Sequence, residues 1–197
     1  MQASAPAAGS WLGPEAVLVP VKSFETAKLR LAPALSPDRR AALARAMAER
    51  VVRSASELPV AVVCDDRNVA AWARALGALV IWEPGRGLNG AVQEGVDRLR
   101  RAGVEVVIVA VGDLPLATDL GWVTSFDGIT IVPDRRHDGT NVLAVPTGAG
   151  FAFSYGPGSF SRHLTEARRL GAAVRVVHSS PLAWDVDVPG DLVAVER

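Results

Sequence analysis

Among 197 residues there is one cysteine, one tyrosine and three histidines, and aromatic residues make up only 6% of the chain. A single thiol, Cys64, closes no intramolecular disulfide and builds no thiolate metal site, which fits a reducing compartment and an expected cytoplasmic location. His137, His163 and His178 lack the spacing of a metal-ligand set, and His178, in an apolar strand pattern, reads as a structural histidine. Neither charge is in excess. The 21 basic and 21 acidic residues cancel, leaving no electrostatic footprint for nucleic acid or an anionic membrane, although a local pocket for one small anion stays open. No apolar run reaches the length of a membrane span. Residues 1–14 are rich in Ala, Gly, Pro and Ser and have neither a basic leader nor an apolar stretch, so they read as a disordered tail ahead of one domain over 15–197.

What is present is ordinary globular material, 49% apolar and 21% charged, in a chain long enough for one well-buried domain. Its centre is Val104 to Leu116, a β-branched run without alternation that stops at Gly112, Asp113 and Pro115. Such a run reads as a strand buried on both faces in the middle of a sheet. Further strands are expected over Ala16–Val21, Pro59–Cys64, Leu79–Trp82, Ile129–Pro133, Val142–Pro146 and Ala173–His178. Helices are expected between them. One starts at Ser36 as N-cap with Pro37 behind it, and others end at Gly77, Gly103 and Gly171. Strands alternating with helices predict an α/β domain, a mixed and mostly parallel sheet with helices on both faces; the Asp138–Gly139 step adds an antiparallel hairpin.

In open α/β sheets ligands bind beyond the carboxyl ends of the strands, so Asp113 is carried to the favoured edge, either as a functional carboxylate or as a turn and cap residue. Asp185 and Asp187 stand two apart, so on an extended segment their carboxylates face one side while Val186 and Val188 turn to the core. They are either solvated strand ends or, with Asp113, a cluster that needs a cation. Mg²⁺, which prefers hard oxygen ligands, is the natural candidate. Asp191, after Pro189 and Gly190, reads as the cap of a last short helix. Lys22, Lys28 and Arg30 follow the first strand at the same edge, as surface cations or as partners for a triphosphate, with Lys22 the best placed.

Gly85 to Gly90 match the G-x-G-x-x-G dinucleotide pattern after the third strand, which keeps a NAD(P)-dependent reductase as one alternative. The same residues suit a glycine-rich lip for a nucleotide, with Asn89 on ribose or base, and a non-catalytic nucleotide-binding domain is a second alternative. A P-loop is absent. Thr140, Asn141 and the Gly156 to Ser159 stretch offer oxyanion donors ahead of a helix; a hairpin turn and an N-cap Ser159 are the competing readings.

With these pieces in order, the chain resembles the phosphoenolpyruvate or 2-phospho-L-lactate guanylyltransferases of coenzyme F-420 biosynthesis, relatives of the nucleotide-diphospho-sugar transferases with a Rossmann-like sheet. The likeness rests on Val19 to Lys22, Ala27 to Leu31, Gly87 to Asn89, Gly112 to Pro115, Asp138 to Asn141, Ser154 to Ser159 and Asp185 to Asp187. It implies Mg²⁺ on Asp113, Asp185 and Asp187, a phosphorylated three-carbon acid at Thr140, Gly156 and Ser159, and GTP met by Lys22, Lys28 and Asn89, with Lys22 and Asp113 catalytic. The reaction implied joins GMP to that acid and releases pyrophosphate, the product passing to the next enzyme of the pathway. An Ala/Arg-rich composition suggests a GC-rich bacterial genome, which ranks phosphoenolpyruvate above 2-phospho-L-lactate and 3-phosphoglycerate. A homodimer is compatible with the resemblance.

Overall fold

The computed structural model describes residues 12–178 and 180–194, so most of the expected tail lies outside the described residues. The chain runs β1 (Glu15–Pro20), α1 (Pro37–Arg53), β2 (Val60–Cys64), α2 (Arg67–Ala75), β3 (Leu79–Trp82), α3 (Gly87–Arg101), β4 (Val106–Ala110), β5 (Ile129–Pro133), β6 (Thr140–Pro146), α4 (Ser159–Arg169), β7 (Val174–Val176) and α5 (Ser180–Ala183). Short 3₁₀ helices cover Leu29–Leu31, Gly121–Thr124, Thr147–Ala149 and Pro189–Ala194.

The seven strands form one sheet in the order β3-β2-β1-β4-β6-β5-β7, which puts β4 at its centre. Pairings β1–β2, β2–β3, β1–β4 and β5–β7 are parallel, and β6 alone runs against both of its neighbours. The Asp138–Gly139 step does turn a hairpin, closing β5 onto β6. Period-two alternation divides the apolar residues between two cores. Val17, Val19, Ile108 and Ala110 face α1 and α2, whereas Ala16, Leu18, Val107 and Val109 face α3 and α4. That two-sided demand explains the unbroken apolar run of the central strand. Burying each such side chain contributes roughly 1.5–3 kcal/mol.

Local signals end the helices where expected. The Ser36 side chain accepts from Arg39 N at the start of α1, and Gly77, Gly103 and Gly171 take positive φ beyond α2, α3 and α4. Three expectations need correction. Ser159 is the first residue of α4 and makes no cap; Gly158 holds the N-cap place. Val188 is 39% exposed, because the chain bends there just before the 3₁₀ helix over Pro189–Ala194. His178 is exposed: β7 stops at Val176, leaving the ring 4.6 Å from that of His137.

Candidate active site

The parallel strands β1, β2, β3 and β4 all open toward one edge, and the site is built from the segments beyond their carboxyl ends. After β4, Val111 N donates to Asn141 O (3.0 Å), and the turn at Gly112 presents Asp113. The segment after α5 returns to the same place, where Val186 N donates to Asp113 O (3.3 Å). Val186 is fully buried between two aspartates, of which Asp185 is also buried and Asp187 is half-buried. From β1 comes Lys28, whose φ of 54° is unusual for a residue with a side chain. Its ammonium lies 2.5 Å from Asp113 Oδ2 and 3.3 Å from Asp187 Oδ1, and Arg30 Nη1 reaches Asp187 Oδ2 at 3.5 Å.

The electrostatics of this cluster are uneven. Burial works against the Lys28 ammonium, but the Asp113 and Asp187 carboxylates outweigh it and hold the lysine above its usual value. Among the described residues Asp185 has no such cation. Burial first, then the charge of Asp113 and Asp187, pushes its carboxyl up to about 6. Asp113 Oδ1 and Asp185 Oδ1 are buried and have no hydrogen-bond partner among the described residues.

A cavity of about 450 Å³ opens beside this cluster, lined by Lys22, Lys28, Arg30, Asp113 and Asp187. A second, of about 330 Å³, lies over the ends of β2 and β3 and includes Asp65, Asp66, Glu83 and Gly87. Lys22, exposed, lines both, as do Pro20, Val21, Thr26 and Leu88, so the two cavities share a wall. Volumes of this size suit a small-molecule ligand.

A second polar group sits at the start of β6. Thr140 N donates to Ser159 Oγ (3.0 Å), and Thr140 Oγ1 lies 3.0 Å from His163 Nδ1. Because Ser154 N donates to His163 Nε2 (2.9 Å), that nitrogen must be the acceptor. The proton therefore stands on Nδ1 and is donated to the threonine oxygen. His163 is fully buried between Phe151 and Tyr155, and burial lowers its pKa to about 4. Neutral imidazole is thus its working form. Thr140 and Ser159 are themselves buried, while Gly156 is exposed with φ 115°.

Residues 15–196 match the family described as "Guanylyl transferase CofC like". The chain belongs to that family. A phosphoenolpyruvate guanylyltransferase from Rubrobacter xylanophilus is 39% identical over 188 residues, covering 91% of this chain and 92% of that one. The enzyme of the same name from Sphaerobacter thermophilus is 33% identical over 190 residues, with 89% of each chain covered. Among solved structures, one assigned to the nucleotide-diphospho-sugar transferases, from Desulfovibrio desulfuricans, superposes with a TM-score of 0.73 at 15% identity, covering 94% of this chain and 87% of that one. A 4-diphosphocytidyl-2C-methyl-D-erythritol synthase from Anaerococcus prevotii gives 0.60 at 14% identity, covering 94% and 100%. These two speak to the fold, and the family is one of nucleotidyltransferases.

Of the sequence-predicted residues, Asp113, Asp187 and Lys28 converge directly, Asp185 lies within their electrostatic reach, and Lys22 stands on the cavity wall. Thr140 and Ser159 are brought together at the same sheet edge, since Val142 pairs with Ala110 and puts Thr140 beyond the end of β4. They line neither of the two cavities around Lys22; the Ser159 hydroxyl accepts from Thr140 N and the Thr140 hydroxyl meets His163. Asn89 is engaged twice by the Tyr155 backbone, as donor to the carbonyl (3.3 Å) and acceptor from the N–H (2.6 Å), so it ties α3 to the loop before α4. Gly87 opens α3 beside the second cavity, after an edge strand and not the central one.

Among the described residues, no three His, Cys, Asp or Glu side chains are gathered closely enough to hold a metal ion. Lys28 occupies the space between two of the expected ligands. The donor set still suits a hard cation: among the described residues two buried carboxylate oxygens lack partners, and burial, then the charge of Asp113 and Asp187, raises the Asp185 carboxyl. His163 and Asp134 escaped sequence reasoning. Ser159, His163 and Ala167 form one buried stripe at a spacing of four, the signal that could have found the histidine. Asp134 accepts from the N–H groups of Arg136, Asp138 and Gly139, and so shapes the β5–β6 turn.

Proposed function

We propose that this chain transfers GMP from GTP to the phosphate of a small phosphorylated acid, phosphoenolpyruvate before 2-phospho-L-lactate or 3-phosphoglycerate, within coenzyme F-420 biosynthesis. The observation that carries the reading is the meeting of Lys28, Asp113 and Asp187, from three distant parts of the chain, beside a cavity at the carboxyl edge of the sheet. The names of the curated relatives support the choice of nucleotide and acceptor.

A phosphate dianion is already a nucleophile at neutral pH, so the protein's task is alignment and charge stabilisation. An acceptor phosphate oxygen bonds to the α-phosphorus of GTP as the bond from that phosphorus to the bridging oxygen of the pyrophosphate breaks. Lys22 and Lys28 face the triphosphate and offset the charge growing on pyrophosphate. Thr140 and Ser159 hold the acid, with Gly156 admitting it to the backbone. Asn89 supports the Tyr155 loop and borders the guanosine. Asp113, Asp185 and Asp187 would hold Mg²⁺, which supplies Lewis-acid polarisation of the α-phosphate and neutralises the leaving group.

The test is incubation of the protein with GTP, Mg²⁺ and each acid in turn, with pyrophosphate measured. Release with phosphoenolpyruvate alone among the acids supports the reading. Nucleotide binding without pyrophosphate, repeated with the next pathway enzyme present to consume a labile product, would leave a binding domain instead.

A further inference from the structure

Asp191 is an aspartate that the proposed chemistry does not use, yet it is 1% exposed and more heavily engaged than any ligand candidate. Its Oδ2 accepts from Asp187 N (2.8 Å) and Val188 N (2.9 Å). Its Oδ1 is paired with Arg135 and with Arg136, the latter at 2.7 Å. Its carbonyl accepts from Trp184 Nε1 (3.2 Å), and the Arg135 guanidinium lies 4.3 Å from the centre of that indole. Arg135 N also donates to Ala183 O (2.8 Å). The reading of Asp191 as a helix cap is thereby corrected: its carboxylate closes the turn before the 3₁₀ helix, around the very residues that carry the acidic pair.

The frame has a direction. Two N–H groups of the segment after Val186 are held by a carboxylate whose position is fixed from the other side by two guanidinium groups of the β5–β6 turn. Both carboxylate oxygens of Asp191 are thus engaged, one by two N–H groups and the other by two guanidinium groups. Asp187 is by contrast 41% exposed at its side chain and has only Lys28 and Arg30 to orient it. Without Asp191 nothing else among the described residues holds its backbone N–H.

We infer that Asp191 is the positioning residue of the acidic site: with Arg135 and Arg136 it sets the backbone from which Asp187 presents its carboxylate to a divalent cation. The inference rests on the metal reading of Asp113, Asp185 and Asp187 proposed above. Groups that orient metal ligands from behind commonly change metal affinity about 10–100-fold when removed.

The experiment uses the full chain, Mn²⁺ alone as probe, and electron paramagnetic resonance to count free ion. Asp191→Asn removes the charge at constant shape, and Asp191→Ala removes the bonds as well. The expected result is Mn²⁺ binding weakened by about tenfold or more in the first and further in the second, at a temperature where circular dichroism shows both folded. Should neither fold, Arg136→Gln, which leaves Arg135 and both backbone bonds in place, is expected to weaken Mn²⁺ binding by a smaller but measurable factor. Wild-type affinity in a folded variant, with only a lower melting temperature, would overturn the inference and leave Asp191 a purely structural anion. If the wild-type protein itself binds no Mn²⁺, the metal reading falls, and this inference with it.

Discussion

Lys28 Nζ lies 2.5 Å from Asp113 Oδ2 and 3.3 Å from Asp187 Oδ1, which makes an ammonium group the cation between two of the three acidic side chains. A divalent ion at that place must displace it or share its ligands. The arrangement suggests an exchange, in which Lys28 is free to meet the triphosphate once the carboxylates are neutralised by metal.

Lys28→Met is therefore expected to lower turnover while tightening Mn²⁺ binding to the free protein severalfold, because the competing charge is gone. Calorimetric titration with Mn²⁺ and a pyrophosphate assay on the same preparation test both arms. Weaker Mn²⁺ binding in this variant would show that lysine and metal do not compete.

Ser159 Oγ is the acceptor for Thr140 N–H in a buried setting. Ser159→Ala leaves that donor without a partner, a loss of about 1–3 kcal/mol in chemical denaturation. Its kinetic signature is expected to be a higher KM for the acid at an unchanged KM for GTP. A change in stability alone would take Ser159 out of the acceptor site.

His163 predicts a pH dependence of stability. Its folded-state pKa is about 4 against 6.5 for the free side chain, so between these values the unfolded chain binds the extra proton. Its contribution is complete above pH 6.5 and is lost as pH falls toward 4, amounting to roughly 3 kcal/mol at one pKa unit per 1.36 kcal/mol. Denaturant unfolding between pH 7.5 and 4.5 should show a shallower pH slope for His163→Gln than for the wild type. Equal slopes would mean that the imidazole takes up its proton at the same pH in the fold as in the unfolded chain.

The Tyr155 hydroxyl is buried with no hydrogen-bond partner among the described residues, although the backbone of the same residue is fully used by Asn89. Tyr155→Phe is expected to leave stability unchanged or to raise it by up to about 1 kcal/mol in a denaturant melt. A loss of stability would reveal a partner for the phenol.

The contrast between these residues shows what the sequence made legible. The central strand, the caps at Ser36, Gly77, Gly103 and Gly171, and the hairpin at Asp138–Gly139 follow from short-range rules, and each stands where expected. Asp113 was legible as a site candidate because strand ends have a fixed meaning in an α/β sheet, and Asp187 because its spacing of two from Asp185 puts both carboxylates on one side of an extended segment. The roles of Asp191 and His163 were not legible, since the arginines that fix Asp191 lie 55 and 56 residues away and the threonine that meets His163 lies 23 away, and only the completed sheet brings them near. Val188 and His178 were misplaced for a related reason. Period-two reasoning assumes that a strand continues, and both residues fall at or just past the point where the chain turns.

The most direct trial of the account is pyrophosphate release from GTP, Mg²⁺ and phosphoenolpyruvate by the wild type and by Asp113→Asn, at equal folded concentration. The account predicts release by the wild type and a loss of at least about a hundredfold in the variant, in line with removal of a group that stabilises charge in the transition state. Undiminished release by Asp113→Asn would contradict it, because the side chain that Lys28 meets at the end of β4 would then have no part in the chemistry.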